Sequence, residues 1–278
     1  MRPEAKAGTR VFALLGDPVE HSLSPLIQNA AFQAAGVAGH YVTQRCHAGE
    51  VHAAMRALAR AGGGGNVTVP HKRLAAAAVR GTAAVERTGA CNTFWLEGGE
   101  LVGDNTDVVG FDQAVRELIG DPKGARVLLL GAGGGAAAAL LALLDAGAAE
   151  VVVANRTRAH ADELVARVGA GDPRAHVGAA FGSNFHDRFD LVVNATSLGL
   201  APHDALPPLH EDTRAVLDLV YARHGTPWVR AARADDIPAA DGLAMLIHQA
   251  AAAFERWWQQ PAPIDAMRAA LRAPISAA

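Results

Sequence analysis

The chain has 278 residues, half of them apolar and 5% aromatic, with a formal net charge of −3. That length suits about two ordinary domains or one large α/β domain, with a core built from Ala, Val and Leu. The near-neutral charge gives no sign of a broad basic surface for nucleic acid or an anionic membrane, though a basic cluster could serve one small anionic ligand.

The two cysteines, Cys46 and Cys91, form no C-x-x-C pair, so reduced thiols are expected. The histidines are scattered without metal-ligand spacing, and no metal site is expected. Residues Met1–Arg10 lack the apolar core of a signal peptide. No apolar run reaches the ~20 residues of a membrane span. A soluble, cytoplasmic protein is the expectation.

In chain order, Val11–Leu15 reads as a strand ending at Gly16-Asp17-Pro18. A helix follows from Pro25, with Ser24 as its cap, and stops at Gly36. Tyr41–Arg45 is a second strand and Glu50–Arg60 a second helix. Val67-Thr68-Val69 is a short strand halted by Pro70, and an Ala-rich helix follows His71. Asn92–Val102 reads as a β-hairpin turning at Gly98-Gly99. Asp107 caps a helix to about Leu118, broken by Gly120-Asp121-Pro122.

Val127–Leu130 is a continuous apolar run, as expected of a parallel strand buried on both faces. Val151–Val153, Leu191–Val193 and Val216–Leu219 continue the series. The closing helices are Leu243–Trp258 and Ile264–Ala273; Leu243, Leu246, Ile247, Ala250 and Phe254 repeat at helical spacing, so that face must be buried. Alternating strands and helices make the class α/β, with 109–241 a self-contained Rossmann-like, doubly wound unit.

Between a buried strand and a helix stands Gly131-Ala132-Gly133-Gly134-Gly135-Ala136, a G-x-G-x-x-A match in the context that motif requires. The first glycine permits a tight turn, the second lets backbone approach a pyrophosphate, and the small third position allows close helix–strand packing. The helix N-terminus adds unpaired N–H groups and partial positive charge. An NAD site usually carries a carboxylate at the end of the next strand, about 20 residues on. Here that place holds Asn155-Arg156-Thr157-Arg158. Guanidinium groups pair bidentately with phosphate, so NADP is the expected cofactor.

Three segments carry more polar chemistry than loops of their length need. They are His21-Ser22-Leu23-Ser24-Pro25, then Asn66-Val67-Thr68-Val69-Pro70-His71-Lys72, then Gly89-Ala90-Cys91-Asn92-Thr93 with Gly103-Asp104-Asn105-Thr106-Asp107. With Asn194-Ala195-Thr196-Ser197-Leu198-Gly199, Asp218-Leu219-Val220-Tyr221 and Gly242–Gln249, they run in an order that resembles the shikimate dehydrogenase family, collinear from about residue 11 to 258.

The resemblance implies reversible reduction of 3-dehydroshikimate to shikimate with NADPH, on the route to chorismate and the aromatic amino acids. It implies a substrate-binding catalytic domain made of 1–108 plus 242–278, with an NADP-binding domain, 109–241, inserted. Lys72 and Asp107 match the family's catalytic pair. Ser22 and Ser24 match the groups that grip the substrate carboxylate, and Thr68, Asn92, Tyr221 and Gln249 match further substrate-binding positions. Thr196, Ser197, Gly199, Gly242 and Met245 fall on the cofactor side. Met245 and Gln249, four apart, share one helical face. A monomer or homodimer acting on a small molecule is expected, with no nucleic-acid or membrane partner.

The chain departs from the family pattern at Gln28, where histidine is common, and at Gly65, where a large residue often precedes Asn66; loosened packing is expected there. The nucleotide turn has Gly135-Ala136-Ala137 where a basic residue is often near. The alternatives are a quinate or aminoshikimate dehydrogenase, or a catalytically silent NADP-binding sensor.

Overall fold

The computed structural model describes residues 8–178, 188–199, 204–207, 212–222 and 224–272. By its contacts the chain divides into two compact units: Met1–Thr106 with Gln249–Ala278, and Asp107–His248.

The first unit runs β1 (Arg10–Gly16), α1 (Ser24–Ala34), β2 (Gly39–Arg45), α2 (Val51–Arg60), β3 (Gly64–Val67), α3 (Lys72–Ala76), β4 (Arg80–Gly81), α4 (Ala83–Thr88), β5 (Thr93–Glu97) and β6 (Glu100–Asp104). Its sheet has the order β2-β1-β3-β5-β6-β4. β1 lies parallel to β2 and β3, whereas β5 is antiparallel to both β3 and β6. The hairpin between β5 and β6 turns where sequence placed it, with Gly98 and Gly99 both at positive φ (60° and 85°).

Both faces of β1 are covered. Ala13 and Leu15 join Val51, Met55 and Ala59 of α2 in one core cluster, because residues four apart fall on one side of a helix. On the other face, Phe12 lies 5.2 Å from Phe32, 4.7 Å from Trp257 and 5.5 Å from Trp258, centroid to centroid. Phe12 and Phe32, both fully buried, each contribute ~1.5–3 kcal/mol. The end of the last long helix therefore closes the core opened by the first strand.

β3 is where the sequence expectation shifts. The strand is Gly64–Val67, not Val67–Val69. A Cβ on Gly65 would stand 2.2 Å from the Ala13 carbonyl oxygen, and one on Gly64 2.5 Å from that of Phe94. Gly65 thus does not loosen the packing: backbone already fills the place a side chain would take. Ser24 differs as well. It is the first helical residue of α1, and no side chain caps that helix.

The second unit comprises α5 (Asp107–Ile119), β7 (Arg126–Leu130), α6 (Gly134–Asp145), β8 (Glu150–Ala154), α7 (Arg158–Leu164, continued by a π turn through Gly169), β9 (Ala175–Val177), β10 (Leu191–Asn194), β11 (Val216–Asp218), α8 (Pro227–Ala234), β12 (Ala239–Ala240) and the first part of α9 (Leu243–Trp258). α10 (Ile264–Arg272) returns to the first unit and packs on α1; the predicted end of that helix, Ala273, lies outside the described residues.

The second sheet is parallel throughout, in the order β12-β11-β10-β7-β8-β9. That is the doubly wound arrangement, whose strand order reverses between β7 and β10. Val127–Leu130 are fully buried, and so is the α6 face that begins at Ala136 and Ala137. Alanines suit it, since small side chains let a helix approach a sheet closely. No helix among the described residues is long and apolar enough to cross a membrane.

Candidate active site

In the first unit the polar segments are held by a buried hydrogen-bond chain. The Tyr41 hydroxyl donates to Asn66 Oδ1 at 2.7 Å. Asn66 Nδ2 donates to the Asn92 carbonyl at 3.0 Å and to Thr93 Oγ1. The Asn92 N–H donates to the Asp104 carbonyl at 3.0 Å, and Asn92 Oδ1 accepts from both the Thr106 N–H (2.8 Å) and its hydroxyl (3.1 Å). Burial pushes the Tyr41 phenol far up, so it stays a neutral donor. Asn66, absent from the expected site residues, is thus a support beneath them. Its motif was visible in the sequence, but its partner Tyr41 lies on another strand.

Thr68 follows β3 directly, half-buried, its N–H donating to the Leu15 carbonyl at 2.8 Å. Lys72 opens α3, also half-buried, and its carbonyl accepts from the Cys91 N–H at 3.0 Å. Thr106, clamped by Asn92, immediately precedes Asp107, which begins α5 and is 5% exposed. A carboxylate in a first helical turn is favoured by the helix dipole.

Ser22 Oγ donates to Ser24 Oγ and accepts from the Ser24 N–H, each at 3.2 Å. The pair presents two adjacent hydroxyls, the chemistry a carboxylate needs. Gln28 is fully buried, with Nε2 donating to the Ala250 carbonyl at 2.9 Å. Among the described residues its Oε1 has no partner.

In the second unit, the glycine turn lies at the reversal of strand order. Gly131 has φ +113°, and a Cβ there would lie 2.8 Å from the Ala195 carbonyl oxygen. Only glycine fits such a place. Gly133 caps α6 and is exposed, and a Cβ on it would meet nothing within 4 Å. Gly134 and Gly135 open the helix without side chains over its N-terminus, while Ala132 is half-buried beside the turn. A backbone cradle with open space in front of it fits a pyrophosphate.

After β8, Asn155 Nδ2 donates to the Thr157 carbonyl at 2.9 Å, which curls the segment. Arg156 is exposed and makes no hydrogen bond or ion pair among the described residues. Arg158 is only loosely engaged, 3.8 Å from Asp162 and 3.4 Å from the Gly178 carbonyl. Among the described residues, one guanidinium is therefore uncommitted and a second nearly so.

Thr196 Oγ1 donates to Asn194 Oδ1 at 2.6 Å and accepts from the Leu198 N–H at 3.1 Å. Ser197 is exposed, and Gly199 has φ +92°. Half-buried Tyr221 follows β11. A Cβ on Gly242 would lie 2.4 Å from the Leu219 carbonyl oxygen, so glycine is required there too. Met245 is buried and Gln249 half-buried one turn further along α9.

Comparison with known proteins shows the family. The family model described as the shikimate dehydrogenase substrate-binding domain matches residues 14–94. That for shikimate/quinate 5-dehydrogenase matches 113–199, and that for the shikimate 5′-dehydrogenase C-terminal domain 242–272. A curated relative, "Shikimate dehydrogenase (NADP(+))" of Halobacterium salinarum, is 42% identical over 95% of this chain and 99% of its own. The crystal structure of shikimate dehydrogenase from Aquifex aeolicus superposes with a TM-score of 0.87 at 30% identity, covering 97% of this chain and all of that one. Shikimate 5-dehydrogenase from Thermus thermophilus, solved in complex with shikimate, gives 0.80 at 34% identity, covering 94% and 97%. The chain belongs to the shikimate dehydrogenase family.

Proposed function

We propose that this chain is an NADP-dependent shikimate dehydrogenase, interconverting 3-dehydroshikimate and shikimate. The observation that carries the reading is the end-to-end match to relatives of that name, with Lys72 and Asp107 in place.

NADPH, when bound, supplies the hydride that reduces the ring ketone. The Gly131–Gly135 backbone holds its pyrophosphate, and Arg156, with Arg158 and Thr157, takes the 2′-phosphate that distinguishes it from NADH. Asn155 shapes that segment. Thr196, Ser197, Gly199, Gly242 and Met245 line the nicotinamide.

Ser22 and Ser24 donate to the substrate carboxylate, and Thr68, Asn92, Tyr221 and Gln249 address the ring hydroxyls. Lys72 stabilises the negative charge that develops on the carbonyl oxygen and donates the proton that makes it a hydroxyl. Asp107 accepts a hydrogen bond from that substrate hydroxyl and, in the oxidation direction, favours its loss of a proton. The protein works in the cytoplasm as a monomer or homodimer on a small-molecule substrate.

The test is initial-rate NADP reduction with shikimate, beside quinate and beside NAD, in wild type and Lys72→Ala. Shikimate- and NADP-dependent turnover that falls by about 10²–10⁴ in the variant is expected. Preferential turnover of quinate with NAD would move the protein to the sister activity. Nucleotide binding with no turnover of either ring acid would favour the sensor.

A further inference from the structure

Asp218, at the end of β11, is completely buried. Burying a carboxylate in a β-sheet core is costly unless its oxygens are fully hydrogen-bonded. Three donors meet it: Thr226 Oγ1 at 2.6 Å on Oδ2, and Asn194 Nδ2 at 2.9 Å with the Val220 N–H at 3.1 Å on Oδ1. Burial pushes the carboxyl up, and these three donors pull it back toward ionisation.

The two oxygens serve different ends. Thr226 is the N-cap of α8, where its Oγ1 also accepts from the Val229 N–H at 3.2 Å. That bond concerns the stability of a helix. The bonds on Oδ1 concern the loops. Asn194 accepts on Oδ1 from the Thr196 N–H (3.1 Å) and hydroxyl (2.6 Å), and its Nδ2 also donates to the Leu198 carbonyl at 3.1 Å. The 194–198 segment is therefore wound around the Asn194 amide, and that amide is held by Asp218.

Val220, the second loop residue on Asp218, precedes Tyr221, and its carbonyl accepts from the Gly242 N–H at 3.1 Å. Asn194 and Asp218 are direct cross-strand partners in the β10–β11 register, so no slack separates them. We propose that Asp218, acting through Asn194 and Val220, is a positioning residue that fixes the nicotinamide-side segment against the segment carrying Tyr221 and the start of α9. This rests on the assignment of Thr196 and Tyr221 to cofactor and substrate made above.

The experiment compares Asp218→Asn with Thr226→Val in shikimate oxidation by NADP. Melting temperature, kcat, both KM values and the primary isotope effect from shikimate deuterated at the reacting carbon are read. An amide in place of the carboxylate keeps its volume but offers one acceptor oxygen to three donors, so its N–H2 must face either Thr226 or the pair on Oδ1; Asn194→Ser is therefore read beside it.

The expected result for Asp218→Asn is a kcat lower by about tenfold, the scale of a sub-ångström misplacement, with a raised isotope effect. Thr226→Val is expected to melt at least as early, with kcat within about twofold of wild type and an unchanged isotope effect, because the bonds on Oδ1 survive. Should Asp218→Asn not fold, Asn194→Ser, which is too short to span to Asp218, carries the same expectation.

Wild-type kcat and isotope effect in folded Asn194→Ser, which breaks the link to Asp218 outright, would overturn the proposal. So would an equal kinetic loss in Thr226→Val, which would make the effect one of stability alone. Wild-type turnover, measured in the same series, tests the activity independently of both variants.

Discussion

Two glycines of one turn give opposite forecasts when each is changed to alanine. At Gly131 the backbone stands at φ +113°, and the new methyl would come within 2.8 Å of the Ala195 carbonyl oxygen and 3.2 Å of Thr196 Cγ2. Backbone strain of that kind costs of order 1–3 kcal/mol, and the clash adds to it. Gly131→Ala is expected to lose about 2–4 kcal/mol of stability.

At Gly133 the backbone is extended (φ −84°, ψ −167°), and the methyl would meet no atom of the protein within 4 Å. Restricting the unfolded chain gains ~0.4–1 kcal/mol, and replacing glycine by alanine at a helix N-cap loses a similar amount. Gly133→Ala should therefore melt within about 2 °C of wild type, a net change under ~0.5 kcal/mol. The methyl nonetheless projects where the backbone is to meet a pyrophosphate.

NADPH affinity of Gly133→Ala, followed by nucleotide fluorescence titration, should fall at least about tenfold, equivalent to ~1.4 kcal/mol. Shikimate binding by the same variant should not change. An unaltered NADPH Kd in Gly133→Ala would show that the pyrophosphate does not lie over that residue, and would sink the assignment of the turn.

Arg156→Asp replaces an uncommitted guanidinium with a carboxylate, so the NADP/NAD ratio of kcat/KM should fall by about one to two orders of magnitude; an unchanged ratio would refute the 2′-phosphate role. Gln28→Met removes a buried oxygen that lacks a donor among the described residues (a gain of ~1–3 kcal/mol) together with one hydrogen bond to Ala250 (a loss of ~0.5–1.5 kcal/mol). The chemical-denaturation midpoint should therefore hold or rise, and a loss above ~2 kcal/mol would mean that Oε1 has a donor after all. Burial pushes both thiols up, Cys91 to about 12. Because only the thiolate attacks, native protein at pH 8 should give almost no fast reaction with a disulfide reagent, while denatured protein should show both thiols; a rapid native equivalent would contradict the buried assignment.

Much of the architecture was legible because its signals are local. The apolar run of β7, the alternating hairpin with Gly98-Gly99, and the spacing of Phe254 behind Ala250 each need only a short window of sequence. β3 was not legible in this way. Glycines weigh against a strand by propensity, and only the carbonyls of Ala13 and Phe94, far along the chain from Gly65 and Gly64 respectively, explain why these two lie in one. Ser24 reads as a cap because serine before proline usually is one, but the hydroxyl turns instead to Ser22.

The candidate site divides along the same line. Lys72, Asp107 and the glycine turn stand out as residue types in patterned segments. Their supports do not: Tyr41 under Asn66, Asn92 on Thr106, and Asp218 on Asn194 are pairings between residues 12 or more apart in sequence, each joining side chains that are unremarkable alone. A reacting group must be held to a fraction of an ångström, and a loop has too few neighbours of its own to do that. The holding falls to buried polar residues at the ends of adjacent strands, where register fixes their separation. That places such residues one layer beneath the motif, at positions such as Asn66, Asn194 and Asp218, each of which is the last residue of a strand or the one before it. The asymmetry between Thr226 and Asn194 as partners of one carboxylate follows from this: one bond serves the fold, the other the geometry of the reaction, and only kinetics can separate them.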